Sequence, residues 1–201
     1  MPRGASFRSG TAPAEATGGL SSLGRTPSRG GTTGARVVAA VTYAVDLDAR
    51  EQHLVAVRMT VPTDATGGGG RLVVATWTPG SYVVRDYVHH LQRLVARDDE
   101  GAPVPLQQVG VSAWLVPPVA GALTVDLEWY AHDLGVRTNH VDDRHALLVG
   151  AATFPAFEPA RHRPHHVTLP GVDDVVSLLP GGGSGPYVAD DHAHLVDAAF
   201  E

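Results

Sequence analysis

The sequence predicts an all-β fold, either an antiparallel sandwich or a twisted-sheet domain, that follows a disordered N-terminal tail. From Val37 onward, short runs rich in valine, leucine and threonine are separated by glycine, proline and aspartate, a spacing typical of antiparallel sheets. Two of these runs alternate between apolar and polar side chains, as a half-buried strand does. Residues 1–36 show no such alternation.

The clearest strand covers residues 53–61, where one face would carry His53, Val55, Val57, Met59 and Val61. Residues 123–131 alternate in the same way. We expect further strands at residues 71–77, 83–97, 104–109, 113–116, 146–153, 165–169 and 175–179, although residues 87–96 also fit a short helix. The glycine tract at residues 67–70 predicts a hairpin between strands 53–61 and 71–77.

The chain divides at residue 36. Residues 1–36 form a leader rich in glycine, serine and arginine, whose sizeable apolar side chains are Phe7, Leu20 and Leu23. These few apolar groups cannot offset the entropy cost of ordering the backbone of the leader. We therefore expect the leader to be disordered. Residues 37–201 are long enough for one domain with a single core.

Composition excludes several classes of function. The chain contains no cysteine and no lysine, which excludes thiolate chemistry, Schiff-base catalysis and a phosphate-binding loop lysine. The formal charge of -6 and the scattered arginines indicate no nucleic-acid partner. No apolar run approaches the ~20 residues that cross a bilayer, and no secretory signal is recognisable, so we expect a cytoplasmic protein without a membrane partner.

No catalytic constellation is recognisable in the sequence. A zinc peptidase helix needs a histidine followed directly by glutamate, and none of the 11 histidines has that neighbour. The glycine-rich stretch at residues 182–186 ends in proline where a nucleophile elbow needs glycine. We therefore assign no catalytic residue and no metal ligand, and expect the chain alone to be inactive.

Two histidine groups leave metal binding as an alternative. His192 and His194 would share one face of a strand, although no third ligand is evident. His140, Asp142 and His145 combine donors that suit a metal hydrolase, but paired aspartates between strands are typical of turns.

Two stretches carry a family resemblance. Residues 77–87 read Trp-Thr-Pro-Gly-Ser-Tyr-Val-Val-Arg-Asp-Tyr, and residues 130–145 read Tyr-Ala-His-Asp-Leu-Gly-Val-Arg-Thr-Asn-His-Val-Asp-Asp-Arg-His. Together they resemble the signatures of the N-terminal domain of the glycyl aminopeptidase family of zinc metallopeptidases. Weaker agreement at residues 112–114 and 195–197 extends the resemblance over residues 41–201.

The resemblance implies a non-catalytic all-β domain that precedes a thermolysin-like catalytic domain. Enzymes of this family remove N-terminal residues, often glycine or alanine, from peptides, and their zinc ligands belong to the catalytic domain. This chain is therefore expected to hold no cofactor. Its expected partner is the zinc-bearing catalytic domain, in cis or in trans, and peptide substrates are bound through that domain. We interpret the chain as a fragment or a split product of such an enzyme.

The resemblance also selects residues for a domain interface or a wall of the peptide cleft. These are Trp77, Pro79, Gly80, Ser81, Tyr82, Arg85, Asp86, Arg137, Thr138 and His145. Pro79 and Gly80 suit the centre of a type II turn. If a strand resumes at Tyr82, Arg85 and Asp86 face opposite sides of the sheet. Either Arg85 or Arg137 is expected to reach an acidic group of the catalytic domain, and an internal, turn-stabilising role is the alternative.

A rival interpretation is a free-standing β-sandwich binding module that has no peptidase partner. Its ligand site would recruit tryptophans or paired histidines. Against this, Trp77, Trp114 and Trp129 are interpreted as core residues, because tryptophan is mostly buried in folded domains.

Overall fold

The computed structural model describes residues 38–78 and 81–201. The predicted leader, residues 1–36, lies outside these ranges, so both the leader and the division at residue 36 stay predictions. Pro79 and Gly80 also lie outside the described residues.

The described part of the chain is built mainly from strands. They are β1 (Val41–Asp46), β2 (Leu54–Val61), β3 (Gly70–Val73), β4 (Leu91–Arg97), β5 (Pro103–Val104), β6 (Gln107–Gly110), β7 (Ala113–Val116), β8 (Leu123–Tyr130), β9 (His140–Val141), β10 (Ala146–Val149), β11 (Ala156–Phe157), β12 (His165–Thr168), β13 (Tyr187–Ala189) and β14 (Ala199–Phe200). The α-helices are α1 (Gly150–Thr153) and α2 (His192–Val196), and 3-10 turns cover Arg50–Gln52, Thr63–Ala65, Tyr87–His90 and Glu158–Ala160. This confirms the predicted all-β fold class.

Three sheets organise these strands. The largest has seven strands in the order β13-β12-β1-β2-β8-β4-β5, and the others have the orders β11-β3-β7-β6 and β14-β10-β9. Neighbouring strands are antiparallel except β1 and β12, which run parallel. That one parallel pair was not expected from the sequence.

The long strands β2 and β8 follow the predicted alternation. Every second side chain of β2 from Val55 to Val61 is buried, and β8 alternates in the same way from Leu123. The two strands pair over their whole length, from Leu54 opposite Tyr130 to Val61 opposite Leu123. His53 precedes β2 in a left-handed conformation with φ 59°, so the strand begins one residue later than predicted.

The hairpin prediction for residues 53–77 is wrong. β2 pairs with β1 on one side and β8 on the other, so it has no free edge for β3. The glycine tract instead carries the chain to the four-stranded sheet. Gly69 has φ +64°, and a Cβ there would lie 2.6 Å from Val116 O, so this close approach requires glycine.

Other predicted strands are shorter than expected. Strand β4 starts only at Leu91, after the 3-10 turn Tyr87–His90, and β10 gives way to α1 at Gly150. Residues 175–179 form no strand and contribute one isolated bridge, between Ser177 and Phe200. His192 and His194 lie in α2, not in a strand, because Asp191 Oδ1 caps that helix by accepting the N–H of His194 at 2.8 Å.

Aromatic side chains form the centre of the core. Tyr43 of β1 meets Phe154 edge-on at 5.1 Å between ring centroids, and Phe154 meets Phe200 of β14 at 5.7 Å. Tyr187 of β13 also meets Phe200 edge-on, at 5.4 Å between ring centroids. This cluster therefore packs the three-stranded sheet against one half of the seven-stranded sheet. Neither helix of the described residues has the length and apolar character to cross a membrane.

Candidate functional site

The two motif stretches form two neighbouring loops. The first loop (residues 77–86) lies between β3 and the 3-10 turn Tyr87–His90, and the second loop (residues 132–139) lies between β8 and β9. The described part of the first loop contains no strand, so the prediction that Arg85 and Asp86 face opposite sides of a sheet is wrong. Since Pro79 and Gly80 are not described, the type II turn stays a prediction.

Short-range hydrogen bonds hold the first loop. Trp77 Nε1 donates to Ser81 O at 2.7 Å, and Ser81 N donates to Thr78 O at 3.1 Å. The loop closes where Arg85 N donates to Thr76 O at 2.6 Å. Ser81 Oγ donates to Val83 O at 2.9 Å, so its hydroxyl serves the loop backbone and not a neighbouring base.

The second loop is closed at its base and anchored by Asn139. His132 pairs with His140 as an isolated antiparallel bridge, and Thr138 Oγ1 donates to Gly135 O at 2.8 Å. The buried Asn139 Oδ1 accepts the N–H of Val149 at 2.8 Å and the hydroxyl of Thr153 at 3.1 Å. Asn139 therefore ties the loop to both ends of α1.

Arg137 joins the two loops. Its Nη1 donates to Thr78 Oγ1 at 2.8 Å, although the two residues are 59 positions apart in the chain. Thr78 and Thr138, the neighbour of Arg137, are both buried, so the junction is shielded from water on these two sides. The predicted alternative role for Arg137, an internal stabilising contact, therefore has a structural basis.

Large apolar side chains at the tips of both loops are exposed. Tyr82 is fully exposed, Leu134 is 85% exposed and Val136 is 89% exposed. Of the thirteen large exposed hydrophobic residues among those described, six belong to these loops: Trp77, Tyr82, Val83, Val84, Leu134 and Val136. Single exposed apolar residues are ordinary, but a concentration of them marks an interaction surface. We call these six side chains the apolar surface.

Trp77 departs from its predicted place in the core. Trp114 and Trp129 are buried as expected, whereas Trp77 is 51% exposed. Its indole nitrogen bonds to the loop backbone, so one edge of the ring is fixed while the rest stays open. A partly exposed tryptophan is a common anchor of protein interfaces.

Arg85 and Asp86 add charge beside the apolar surface. Arg85 is half-buried, and among the described residues its Nε is buried without a hydrogen-bond partner. Asp86 is exposed. No ion pair within the described part of the chain includes Arg85. Among the residues that the structure describes, its guanidinium therefore has no carboxylate within ion-pair distance.

His145 lies in the turn between β9 and β10, outside both loops. Its Nε2 lies 3.1 Å from Glu201 Oε1, while Asp142 Oδ1 accepts the backbone N–H groups of Arg144 and His145 at 2.8 Å each. These two backbone bonds, followed by the contact with His140, lower the pKa of Asp142 to about 2. Asp142 thus caps a turn, and the described residues contain no group of three or more side chains arranged to hold a metal.

Val83, Val84, Leu134 and Val136 are exposed residues that the sequence motifs did not indicate. Val83 and Val84 belong to the strand predicted at residues 83–97, whereas Leu134 and Val136 flank Gly135 outside every predicted strand. For Leu134 and Val136 that position was the available signal, because a large apolar residue outside a strand or helix has no obvious core to enter. Their exposure becomes evident only in the folded structure.

Replacing Asn139 with alanine is expected to destabilise the domain by about 1–3 kcal/mol, because the N–H of Val149 loses its side-chain acceptor and the loop loses its tie to Thr153. The buried hydroxyl of Thr153 keeps Val149 O as an acceptor at 2.8 Å. Urea unfolding followed by tryptophan fluorescence measures the change. Gln108→Ala, an exposed amide in β6, is the matched control and should stay within about 0.5 kcal/mol. Equal stability of the Asn139 variant and the native chain would contradict the anchoring role.

Comparison with known proteins identifies this arrangement. The crystal structure of an aminopeptidase N family protein from Idiomarina loihiensis is similar, with a TM-score of 0.72 and 25% sequence identity. The match covers 80% of this chain and 28% of that one, so the chain spans less than a third of its structural relative. No curated protein sequence matches the chain.

The family follows from the sequence match. The family model of the peptidase M61 N-terminal domain matches residues 42–201. The chain therefore belongs to the peptidase M61 N-terminal domain family, which confirms the resemblance carried by the two motifs. It is a peptidase-associated β domain.

Proposed function

We propose that this chain is the non-catalytic N-terminal domain of a zinc-dependent aminopeptidase, and that the apolar surface docks on the thermolysin-like catalytic domain. The observation that carries the proposal is the junction of the two motif loops. The hydrogen bond from Arg137 to Thr78 brings together the two stretches that bear the family resemblance, and both display exposed apolar side chains.

The side chains of the surface suit a protein partner. Tryptophan, tyrosine and arginine are the residues that contribute most to binding at protein interfaces. Here Trp77, Tyr82 and Arg85 lie in one loop whose backbone is closed by its own hydrogen bonds. Because these bonds already fix parts of the described backbone of the loop, docking would require less loss of conformational freedom there. The apolar surface would leave water when the catalytic domain covers it.

Arg85 supplies an electrostatic contact in this proposal. Its half-buried guanidinium lacks a carboxylate among the described residues, and removing a paired charge from water is tolerable only when the pair is well bonded. An acidic side chain of the catalytic domain would complete that pair. Arg137 acts within the domain by holding the second loop against Thr78.

The chemistry belongs to the catalytic domain. There, zinc would polarise the scissile carbonyl and activate water for attack. The first loop would shape the entrance of the peptide cleft, since the fully exposed Tyr82 extends from the domain. This arrangement assigns binding and positioning, but no bond-breaking step, to the chain.

The test combines the purified chain with the zinc-bearing catalytic domain of the same peptidase, expressed separately. We expect saturable binding by calorimetry and faster turnover of a glycyl or alanyl peptide when the chain is present. Absence of binding together with unchanged turnover would contradict the proposal. A change of tryptophan fluorescence on adding a small ligand, without any peptidase domain, would instead favour the free-standing binding module.

A further inference from the structure

A small cavity lies between α2 and the paired strands β3 and β11. Its volume is about 270 Å³, and we call it the α2 cavity. Val73 of β3 and Ala156 of β11, which pair with each other, line it together with Ala75. Ala193 and Val196 of α2 also line it. These five small apolar side chains provide a surface for an apolar group of limited size.

Three charged side chains line the same cavity, and two of them have no ion-pair partner. Glu158 Oε1 accepts a bond from Arg71 Nη1 at 3.3 Å, so its charge is already paired. Among the described residues, neither Arg161 nor Asp197 belongs to an ion pair. The two groups line one cavity without meeting each other. A ligand that carries both charges can therefore lie between them.

Helix α2 sets the separation of these two residues. His192 N donates to Arg161 O at 2.9 Å, so Arg161 lies at the start of α2, and Asp197 directly follows the last residue of the helix. The five residues of α2 rise by ~7.5 Å. An ammonium and a carboxylate on the same Cα, each with a hydrogen bond of about 2.8 Å, connect partners roughly 8 Å apart. The spacing therefore suits a free α-amino acid.

A mostly buried imidazole also lines the cavity. His192 is 8% exposed, and its Nε2 donates to Phe154 O at 3.0 Å. Burial, the largest effect, lowers the pKa of His192, so the ring is neutral at pH 7. A neutral ring that donates through Nε2 has an acceptor at Nδ1, and this atom has no hydrogen-bond partner within the described part of the chain. A polar ligand would satisfy that acceptor.

We propose that the α2 cavity binds a free α-amino acid with an aliphatic side chain. The carboxylate of the ligand pairs with Arg161, its ammonium pairs with Asp197, and its side chain packs on Val73 and Val196. A water molecule takes about 30 Å³ in the liquid, so the cavity holds roughly nine non-hydrogen atoms, the size of leucine. A peptide has no carboxylate beside its ammonium, so the site favours free amino acids over peptides.

The affinity of this site is expected to be low. Arg161 and Asp197 are both exposed, so each ion pair with the ligand contributes little, and we expect a dissociation constant on the order of 1 mM. Free amino acids are also what the proposed aminopeptidase would release. Binding to the α2 cavity requires neither that activity nor the catalytic domain, so it is tested separately from the proposed function.

The first test titrates the isolated, isotope-labelled chain with L-leucine and follows the backbone amide chemical shifts. We expect saturable shifts centred on residues 192–197. Leucinamide lacks the negative charge and N-acetylleucine lacks the positive charge, so each should bind at least about tenfold more weakly than L-leucine. No saturable shift with L-leucine, or equal affinity for all three compounds, overturns the proposal.

The second test assigns each charge of the ligand to its partner. Arg161→Gln should weaken binding of L-leucine about tenfold without weakening that of leucinamide, and Asp197→Asn should weaken L-leucine without weakening N-acetylleucine. Arg93→Gln, which removes an exposed arginine outside the cavity, is the matched control and should bind L-leucine like the native chain. Urea unfolding checks that all three variants are folded. If Arg161→Gln and Asp197→Asn bind L-leucine as tightly as the control, the proposal is wrong.

Discussion

Replacing Leu134 and Val136 together with aspartate is expected to abolish docking of the catalytic domain while leaving this domain folded. Both side chains are almost fully exposed in the isolated domain, so their change costs little stability, within about 0.5 kcal/mol each. In a complex they would be buried, and two unpaired carboxylates would have to leave water. We expect affinity to fall at least about 100-fold, which corresponds to roughly 3 kcal/mol.

Calorimetric titration measures the affinity, and urea unfolding measures the stability of the same variant. Val111→Asp is the matched control, because Val111 is also exposed but lies beside β6, outside both loops. This control should bind like the native chain. If the double variant bound as tightly as the control, the second loop would not be part of the interface.

Acidification is expected to destabilise the domain by up to about 3 kcal/mol through His165 alone. This side chain is completely buried, with Nδ1 3.2 Å from Tyr43 Oη and Nε2 without a hydrogen-bond partner among the described residues. Burial, followed by the charge of neighbouring His192, lowers the pKa of His165 to about 4. The pKa of His192 is also lowered, chiefly by burial.

The sign follows from proton uptake by the unfolded chain. Above about pH 6.5 both states hold neutral imidazole, so the full stability is present. As the pH falls from there toward 4, the unfolded state takes up the proton and the folded state does not, so stability is lost. Below the folded pKa of about 4, His165 causes no further loss.

Urea unfolding at pH 7.5, 5.5 and 4.5 measures this dependence. The matched variant is His165→Phe, which keeps a planar ring beside Tyr43 but cannot titrate. Its stability should fall less steeply with acidification than that of the native chain, whatever its stability at pH 7.5. Parallel pH profiles for the two proteins would show that His165 is not the acid-sensitive group.

The sequence predicts well those elements whose burial is periodic. β2 and β8 alternate over eight residues each, and both form as expected. The destination of β3 was not predictable, because nothing near Gly69 shows that both edges of β2 are already occupied. The sequence did not predict α2. This helix begins where Asp191 Oδ1 accepts the N–H of His194, and the pattern of apolar and polar residues around it does not indicate that contact.

The candidate site was predicted in part. The motifs selected Trp77, Tyr82 and Arg137, which the fold brings together in two adjoining loops. They also selected His145, which lies elsewhere and contacts Glu201. The stacking of His53 on His132 was not predictable, since the two residues are 79 positions apart and meet only through the register of β2 and β8.

The central claim is that the two motif loops together contact the catalytic domain, and site-specific photo-crosslinking tests it most directly. The chain contains no cysteine, so Val136→Cys provides a unique site for a photoreactive label, with Val111→Cys as the control site. The label is attached before the catalytic domain is added. We predict that the probe at position 136 crosslinks to that domain beside its zinc cleft and that the probe at position 111 does not. Equal crosslinking from both positions, or none from position 136 under conditions where the domains bind, would contradict the claim.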